Sequence, residues 1–366
     1  MKRIELDAPN ISLLEKEYLC KCLDSGFIST FGPFVAEFEN KFAAYLGIDK
    51  AVAVQSGTAA LHMALLESGV GKGDEVIVPA LTFVATVNPV MYLGAKPVFA
   101  DVDPATWNIN PEAVEKSITK KTKAMIPVHL YGNPCDMAAL VAIAKKNHIK
   151  IIEDATESLG AFFQGQSTGT FGDFGCFSFN GNKVITTGGG GMVASKDNRS
   201  LEHIRFLINQ AKGGDGNFCP EIGFNYRLTN LEASMGLAQM ERLGEFLNKK
   251  REFYGIYKKE LGKIDGVDFQ QPYEKAESSC WFTCISFKDD RNVEDIIRRL
   301  SQKGIPGRRV FMPIVEFDPY KMFKGGELKH SRQIYQRGLC LPSSTLNLAE
   351  DIHYVCQTLK DILKNA

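Results

Sequence analysis

The stretch best suited to chemistry runs Gly175-Cys176-Phe177-Ser178-Phe179-Asn180-Gly181-Asn182-Lys183-Val184-Ile185-Thr186-Thr187-Gly188-Gly189-Gly190-Gly191-Met192. A single lysine, Lys183, lies between an apolar strand and four consecutive glycines. Burial lowers the pKa of an amine and leaves it nucleophilic. Glycines let a flat ligand approach the backbone without Cβ interference. The same segment also reads as a hairpin turn carrying a surface lysine, because a nucleophilic lysine needs a partner that the segment does not supply.

A partner is available upstream. Ile151-Ile152-Glu153-Asp154-Ala155-Thr156-Glu157-Ser158 puts acids where an apolar strand ends. A buried carboxylate there is costly unless it meets a cation, and a protonated pyridine nitrogen is such a cation. Pyridoxal phosphate (PLP) enzymes pair a Schiff-base lysine with an acid at that nitrogen. Asp154 also reads as an N-cap of the following helix, the ordinary use of an acid at such a boundary. A third element, Gln55-Ser56-Gly57-Thr58-Ala59-Ala60-Leu61, is a strand–turn–helix junction. Its Gly57 and Thr58 would offer N–H groups and a hydroxyl to a phosphate at a helix N-terminus, although small residues also serve there as caps.

These groups need a scaffold that brings distant segments together. Between Ala51 and Val193 short β-rich runs alternate with helix-prone ones. Ala51–Val54, Glu75–Val78, Pro97–Ala100, Ala124–Val128 and Lys150–Asp154 read as strands, and Thr58–Leu66 and Met137–Asn147 as helices. Near-continuous apolar strands followed by helices predict an α/β fold, with a mainly parallel sheet covered on both faces and ligands at the carboxyl ends of its strands. A helical stretch over 230–261, one long helix or two in succession, leads to a second unit. That unit has a strand near Cys280–Phe287 and helices at Val293–Gln302 and Ala349–Leu363. The division falls near residue 240: a large domain over 1–240 and a smaller α+β domain over 241–366.

Composition narrows the choices. With 366 residues, 44% of them hydrophobic, the chain can bury the core of two domains. Lys plus Arg and Asp plus Glu number 43 each, a balance that advertises neither nucleic acid nor an anionic membrane as partner. No apolar run reaches the roughly 18 residues of a membrane span, and the opening Met1-Lys2-Arg3-Ile4-Glu5-Leu6-Asp7 lacks the apolar core of a signal peptide. Nine cysteines at scattered spacings, with no C-x-x-C pair, point to reduced thiols in a cytoplasmic protein and to no metal site.

The order of phosphate turn, strand-end acid, Ser-x-x-x-x-Lys and glycine run resembles the DegT-type nucleotide-sugar aminotransferases, PLP enzymes of the aspartate-aminotransferase fold (fold type I). The resemblance covers nearly the whole chain. It takes in residues 25–32, Phe38-Glu39-Asn40-Lys41-Phe42-Ala43, residues 78–86, Pro127-Val128-His129-Leu130-Tyr131-Gly132, residues 223–230 and Leu341-Pro342-Ser343-Ser344. It implies that Lys183 is the Schiff-base lysine and proton carrier and that Asp154 keeps the pyridine nitrogen protonated. Glu157 would sit near the ring and Phe83 would stack on it, unless Phe83 is simply a core aromatic. Gly57, Thr58 and Ser178 would hold the phosphate. Asn225 would reach the phosphate of a neighbouring subunit, which implies a homodimer with shared sites. His129 and Tyr131 also read as packing beneath the sheet, and Arg227 as a structural anchor.

Within the family, Asn180-Gly181-Asn182-Lys183 is similar to enzymes acting at C4 of 4-keto-6-deoxy sugar nucleotides, of the legionaminic acid and bacillosamine type. These would use L-glutamate as donor and a UDP-linked N-acetylhexosamine as acceptor. Gly189 stands where the broader family has Glu. Near the C-terminus Gly304-Ile305-Pro306-Gly307-Arg308-Arg309 keeps Arg308 but has Arg309 where relatives have proline. Arg308 and Asn180 are candidate substrate ligands, and the doubled arginine reads equally as an anion site or as a solvated pair. The rivals are amination at C3, a GDP- or dTDP-sugar, a PLP-dependent dehydratase (which would carry histidine in place of Lys183) and a non-catalytic regulator.

Overall fold

A computed structural model of the chain describes residues 4–214, 218–323 and 326–364. The basic start Met1-Lys2-Arg3 lies outside the described residues. Its strands are β1 (Ala51–Val54), β2 (Glu75–Pro79), β3 (Lys96–Ala100), β4 (Thr122–Met125), β5 (Lys150–Asp154), β6 (Phe162–Phe163), β7 (Gln166–Ser167), β8 (Phe174–Ser178), β9 (Gly191–Ala194), β10 (Val267–Phe269), β11 (Ala276–Glu277), β12 (Thr283–Phe287), β13 (Arg308–Arg309) and β14 (Gly338–Leu341). The helices are α1 (Leu13–Asp24), α2 (Pro33–Leu46), α3 (Gly57–Glu67), α4 (Asn88–Tyr92), α5 (Pro111–Ser117), α6 (Met137–Asn147), α7 (Asn198–Leu207), α8 (Asn230–Leu261), α9 (Val293–Gln302), α10 (Lys329–Arg337) and α11 (Ala349–Lys364).

The central sheet has seven strands in the order β1-β9-β8-β5-β4-β2-β3. Neighbours from β8 to β3 pair parallel, and β9 alone runs antiparallel to both of its neighbours. Strands such as Ala51-Val52-Ala53-Val54 are buried along their whole length, so both faces must be covered. Helix α3, with eight of its eleven residues buried, covers one of them. Strand β4 stops at Met125, short of the expected Val128, and Val128 keeps only an isolated bridge to Asp154.

The C-terminal part forms its own antiparallel sheet, β10-β12-β14-β13. Apolar residues of α8, α9 and α11 close a separate core against it, including Tyr257, Leu300 and Leu359. Helix α8 is a single continuous helix, opened by a capping box between Thr229 and Glu232. It runs straight through residue 240. Its buried residues belong to the large core as far as Leu247 and to the C-terminal core from Phe253 onward. The N-terminus crosses over as well, since Ile4 packs in the C-terminal core.

Candidate active site

Three strand ends of the central sheet meet at one pocket. Strand β1 leads through Ser56, whose hydroxyl accepts from Ala59 N–H, into the N-terminus of α3 at Gly57 and Thr58. Strand β5 ends on Asp154 and β8 ends on Ser178. The pocket wall includes Gly57, Thr58, Phe83, Asp154, Glu157, Ser178, Asn180, Lys183 and Arg308. Of the residues expected at the site, Asn225 alone is absent from this wall. It lies on a segment bridged to Asn209.

Gly57 is required by sterics. A Cβ there would come within 2.8 Å of Ser178 Cβ and 3.0 Å of Thr156 Cγ2, so a side chain would close the space between the α3 N-terminus and Ser178. The glycine run serves mostly the chain's own backbone. Gly190 has φ +94, and a Cβ on Gly191 would strike Ser56 backbone at 2.6 Å. Only Gly189 and Gly190 of the run face the pocket.

The acids at the end of β5 are fully engaged. Asp154 Oδ2 accepts from Thr86 Oγ1 at 2.7 Å, and Oδ1 accepts from Thr156 N and Oγ1 at 3.2 and 2.7 Å. No helix follows β5, so Asp154 is not the N-cap that the sequence also allowed; it closes a local turn to Thr156 and faces the pocket. Its neighbour Glu153 points the other way. There it accepts from the backbone N–H of Gly169, Phe171 and Gly172 and from His129 Nε2. Cys135 N–H donates to His129 Nδ1, which leaves the ring proton on Nε2. His129 and Tyr131 are both fully buried.

Lys183 is not a surface lysine. Its side chain is 13% exposed, and Nζ lies 3.9 Å from Glu157 Oε1 and 4.2 Å from the centre of the Trp281 ring. The Trp281 indole N–H donates to Asn182 O at 2.7 Å, which fixes the loop beside the lysine. Glu157 accepts from Tyr131 N–H at 2.8 Å. Burial pushes its carboxyl up to about 7 against the opposing pull of Lys183. Phe83 is 52% exposed on the pocket wall, its ring 5.7 Å from Phe311, so it is not a core aromatic.

Alternation along β13 separates the doubled arginine. Arg308 lines the pocket against the rings of Phe282 and Phe311, and its Nε and Nη2 are buried with no hydrogen-bond partner. Arg309 turns away to Tyr335 O and Glu294. Arg227 lies outside the pocket wall, over the Phe31 ring. Sequence reasoning missed Thr86, Thr156, Trp281 and Phe311. Thr86 lay within a quoted motif, but nothing in the sequence tied it to Asp154.

The model of the DegT/DnrJ/EryC1/StrS aminotransferase family matches residues 9–360. The chain belongs to that family. GDP-perosamine synthase of Escherichia coli O157:H7 is 39% identical and covers 99% of both chains. A UDP-N-acetyl-3-dehydro-alpha-D-glucosamine 3-aminotransferase of Acidithiobacillus ferrooxidans is 36% identical over 83% of this chain and 82% of its own. Among solved structures, Spr1654 of Streptococcus pneumoniae, assigned as a sugar aminotransferase and solved in a PLP form, superposes with a TM-score of 0.94. It is 27% identical and covers 100% of this chain and 99% of its own. The protein is thus an aminotransferase of a PLP-dependent sugar aminotransferase family, with fold type I. Among the described residues no helix is long and apolar enough to cross a membrane.

The pocket fits PLP on its own chemistry. Helix α3 points an N-terminus at it, where Gly57, Thr58 and Ser178 supply N–H and hydroxyl donors for a phosphate. Asp154 offers a carboxylate to a pyridine N–H. Lys183 brings an amine to the same cavity, and Phe83 and Val128 offer apolar surface for a flat ring.

Proposed function

We propose that this enzyme moves an amino group from L-glutamate to C4 of a 4-keto-6-deoxy sugar nucleotide, a UDP-linked N-acetylhexosamine, for the synthesis of surface-glycan sugars. The observation that carries the chemistry is the convergence of Lys183, Asp154, Ser178 and the α3 N-terminus on one cavity. PLP, when bound, supplies the electron sink for breaking the C–H bond beside the amine. Gly57, Thr58 and Ser178 hold its phosphate. Asp154, kept in place by Thr86 and Thr156, keeps the ring nitrogen protonated. Lys183 Nζ takes the α-proton of glutamate and returns a proton to the sugar carbon in the second half of a ping-pong cycle. Glu157 Oε1 lies 3.9 Å from Nζ and would help to position the amine. Phe83 would offer its exposed ring as an apolar surface to the cofactor, and Asn180 would contact the sugar.

The active unit is a homodimer in which Asn225 reaches the phosphate in a second copy. Two features support this: Asn225 is absent from its own chain's pocket wall, and Phe27, Ile28, Phe31 and Ile222 are exposed apolar residues. The nine cysteines are all free, in keeping with a cytoplasmic site of action. The large PLP-binding domain takes residues 1–240 and the small domain 241–366, with α8 as their common spine. A GDP-linked acceptor is the second reading, favoured by 39% identity to a GDP-perosamine synthase.

The test is a panel of 4-keto and 3-keto sugar nucleotides on UDP, GDP and dTDP, assayed with glutamate and read by product mass and NMR. Amination of a UDP-linked 4-keto sugar supports the first reading, and exclusive amination of a GDP-sugar the second. Exclusive turnover of 3-keto substrates overturns both.

A further inference from the structure

Trp281 is one of two tryptophans in the chain, and its local sequence, Ser278-Ser279-Cys280-Trp281-Phe282, gives it no role. The structure docks this segment on the turn after Val128. Ser279 N–H and Ser278 Oγ donate to Gly132 O, and Phe282 N–H donates to Tyr131 O. Tyr131 has φ 57 and Gly132 has φ 91. A Cβ on Gly132 would come within 3.0 Å of Trp281 N, so a side chain there would push the tryptophan segment away. From α8, the buried Lys250 Nζ donates to Trp281 O at 3.0 Å. The Trp281 ring stacks on Tyr131, with centroids 6.3 Å apart and planes 22° apart. Backbone and ring are therefore both fixed.

What this fixed ring holds is the lysine. Lys183 Nζ lies 4.2 Å from the ring centre, inside the range of a cation–π contact. The indole N–H of the same side chain donates to Asn182 O at 2.7 Å. Trp281 thus grips both the backbone just before the lysine and the far end of the lysine side chain. Glu157 Oε1 flanks Nζ at 3.9 Å. Neither contact is a hydrogen bond, so the amine is held without being tied to an acceptor. A core tryptophan needs only some carbonyl for its N–H. Here the carbonyl and the amine on the ring face belong to one loop, and the ring lines the pocket.

We propose that Trp281 is a positioning residue for Lys183: its indole N–H sets the Asn182 carbonyl, and its ring face receives the amine whenever Lys183 is not bonded to the cofactor. This deepens the aminotransferase reading and rests on it. A lysine that takes a proton from the donor and returns one to the sugar must come back to one place in both halves of the cycle. A π face attracts the ammonium group and still lets it leave, because no hydrogen bond has to break. A misplacement on the order of 1 Å at such a group costs about 10²-fold in rate. The next residue, Phe282, turns its ring to Arg308 instead, so in this segment the task falls to Trp281.

Two variants separate the contacts. Trp281→Phe keeps a smaller ring face and loses the N–H, and Trp281→Leu loses both. The PLP-loaded enzymes are mixed with L-glutamate or its α-deuterated form in a single turnover, read by cofactor absorbance. At saturating glutamate the rate should fall about 10-fold in Trp281→Phe and about 10²-fold in Trp281→Leu. Glutamate affinity should stay within about twofold of wild type, and the deuterium isotope effect should be kept or enlarged, because the lost contact orients the proton carrier and not the substrate. The cofactor-free protein gives a second reading. Lys183→Met should shift tryptophan emission in the wild-type background. The shift should vanish in the Trp281→Phe background, where Trp107 is the remaining tryptophan.

Wild-type rates in both variants overturn the assignment. So does a loss carried wholly by glutamate affinity, or a reduced isotope effect, since a step other than proton transfer would then have slowed. Emission indifferent to Lys183 also overturns it, for the ring would not face the amine. Should Trp281→Leu not fold, Trp281→Phe and the emission series decide. Failure of the wild type to bind PLP, read from colour and borohydride fixation, would count against the aminotransferase reading while leaving the emission measurement standing. Normal transfer by both variants would leave that reading intact and remove Trp281 from it.

Discussion

Two sets of buried charges in and around the pocket are treated in opposite ways. At the end of β5, Asp154 accepts three hydrogen bonds and Glu153 four, so each carboxylate has neighbours that replace its water. Elsewhere, Asp7 and Arg308 have buried atoms without partners, and Glu157, on the loop after β5, has one N–H donor and an amine at 3.9 Å. The satisfied carboxylates have their hydrogen-bond partners in place before any ligand arrives. An under-satisfied wall has charges that respond to the ligand. The first suits a cofactor that stays and the second suits substrates that alternate.

Lys183 stands between the walls, and its loss should have the largest effect. Lys183→Ala should lower transfer by more than about 10⁴-fold, since nucleophile and proton carrier go together. A borohydride-stable mass adduct on the wild-type peptide containing Lys183, missing in the variant, would locate the role. Retained turnover would remove the division of labour between the walls. Asp154→Asn keeps the shape and loses the charge. Transfer should fall by roughly 10²–10³-fold, the scale of one preorganised electrostatic group, with the fold intact by circular dichroism.

The satisfied wall was the more legible of the two in the sequence. Lys150–Asp154 is an apolar run that stops on acids, and local pattern alone places it as a strand with a carboxylate at its end. Helices Met137–Asn147 and Val293–Gln302 were legible for the same reason, a periodic apolar face between clear ends. Partners far along the chain were not. Thr86 is 68 residues from Asp154, and Trp281 is 99 residues from the Asn182 carbonyl it holds. Asp7 becomes informative only through a strap bound to residues 343–347, a tertiary fact with no local signature. The antiparallel direction of β9 was equally hidden, because a four-residue buried strand reads the same in either orientation.

Glu153 tests the satisfied wall without touching the cavity. Glu153→Gln keeps the volume but replaces an acceptor-only group with an amide whose NH2 would face N–H donors. At least one of Gly169, Phe171, Gly172 and His129 then loses its acceptor. A loss of about 3 kcal/mol is expected by chemical denaturation. A change within experimental scatter would mean that these hydrogen bonds add little beyond geometry.

The smallest effect has the opposite sign. Burial lifts Glu157 from an ordinary 4.5 to about 7 and Asp7 from 3.8 to about 7. Between about pH 4 and pH 7 the folded chain therefore holds protons that the unfolded chain has released. Stability from these two groups is fully present below about pH 4 and is lost as pH rises through 7. Glu157→Gln removes the Glu157 part of that dependence while keeping the Tyr131 N–H acceptor in its side-chain carbonyl. Without cofactor, the variant should gain stability over wild type at pH 8 relative to pH 5, by on the order of 2 kcal/mol after allowing for the lost attraction to Lys183. Denaturant midpoints at the two pH values read it directly. A variant equally displaced at both would mean that Glu157 is as well satisfied as Asp154, and the contrast between the walls would then rest on Asp7 and Arg308 alone.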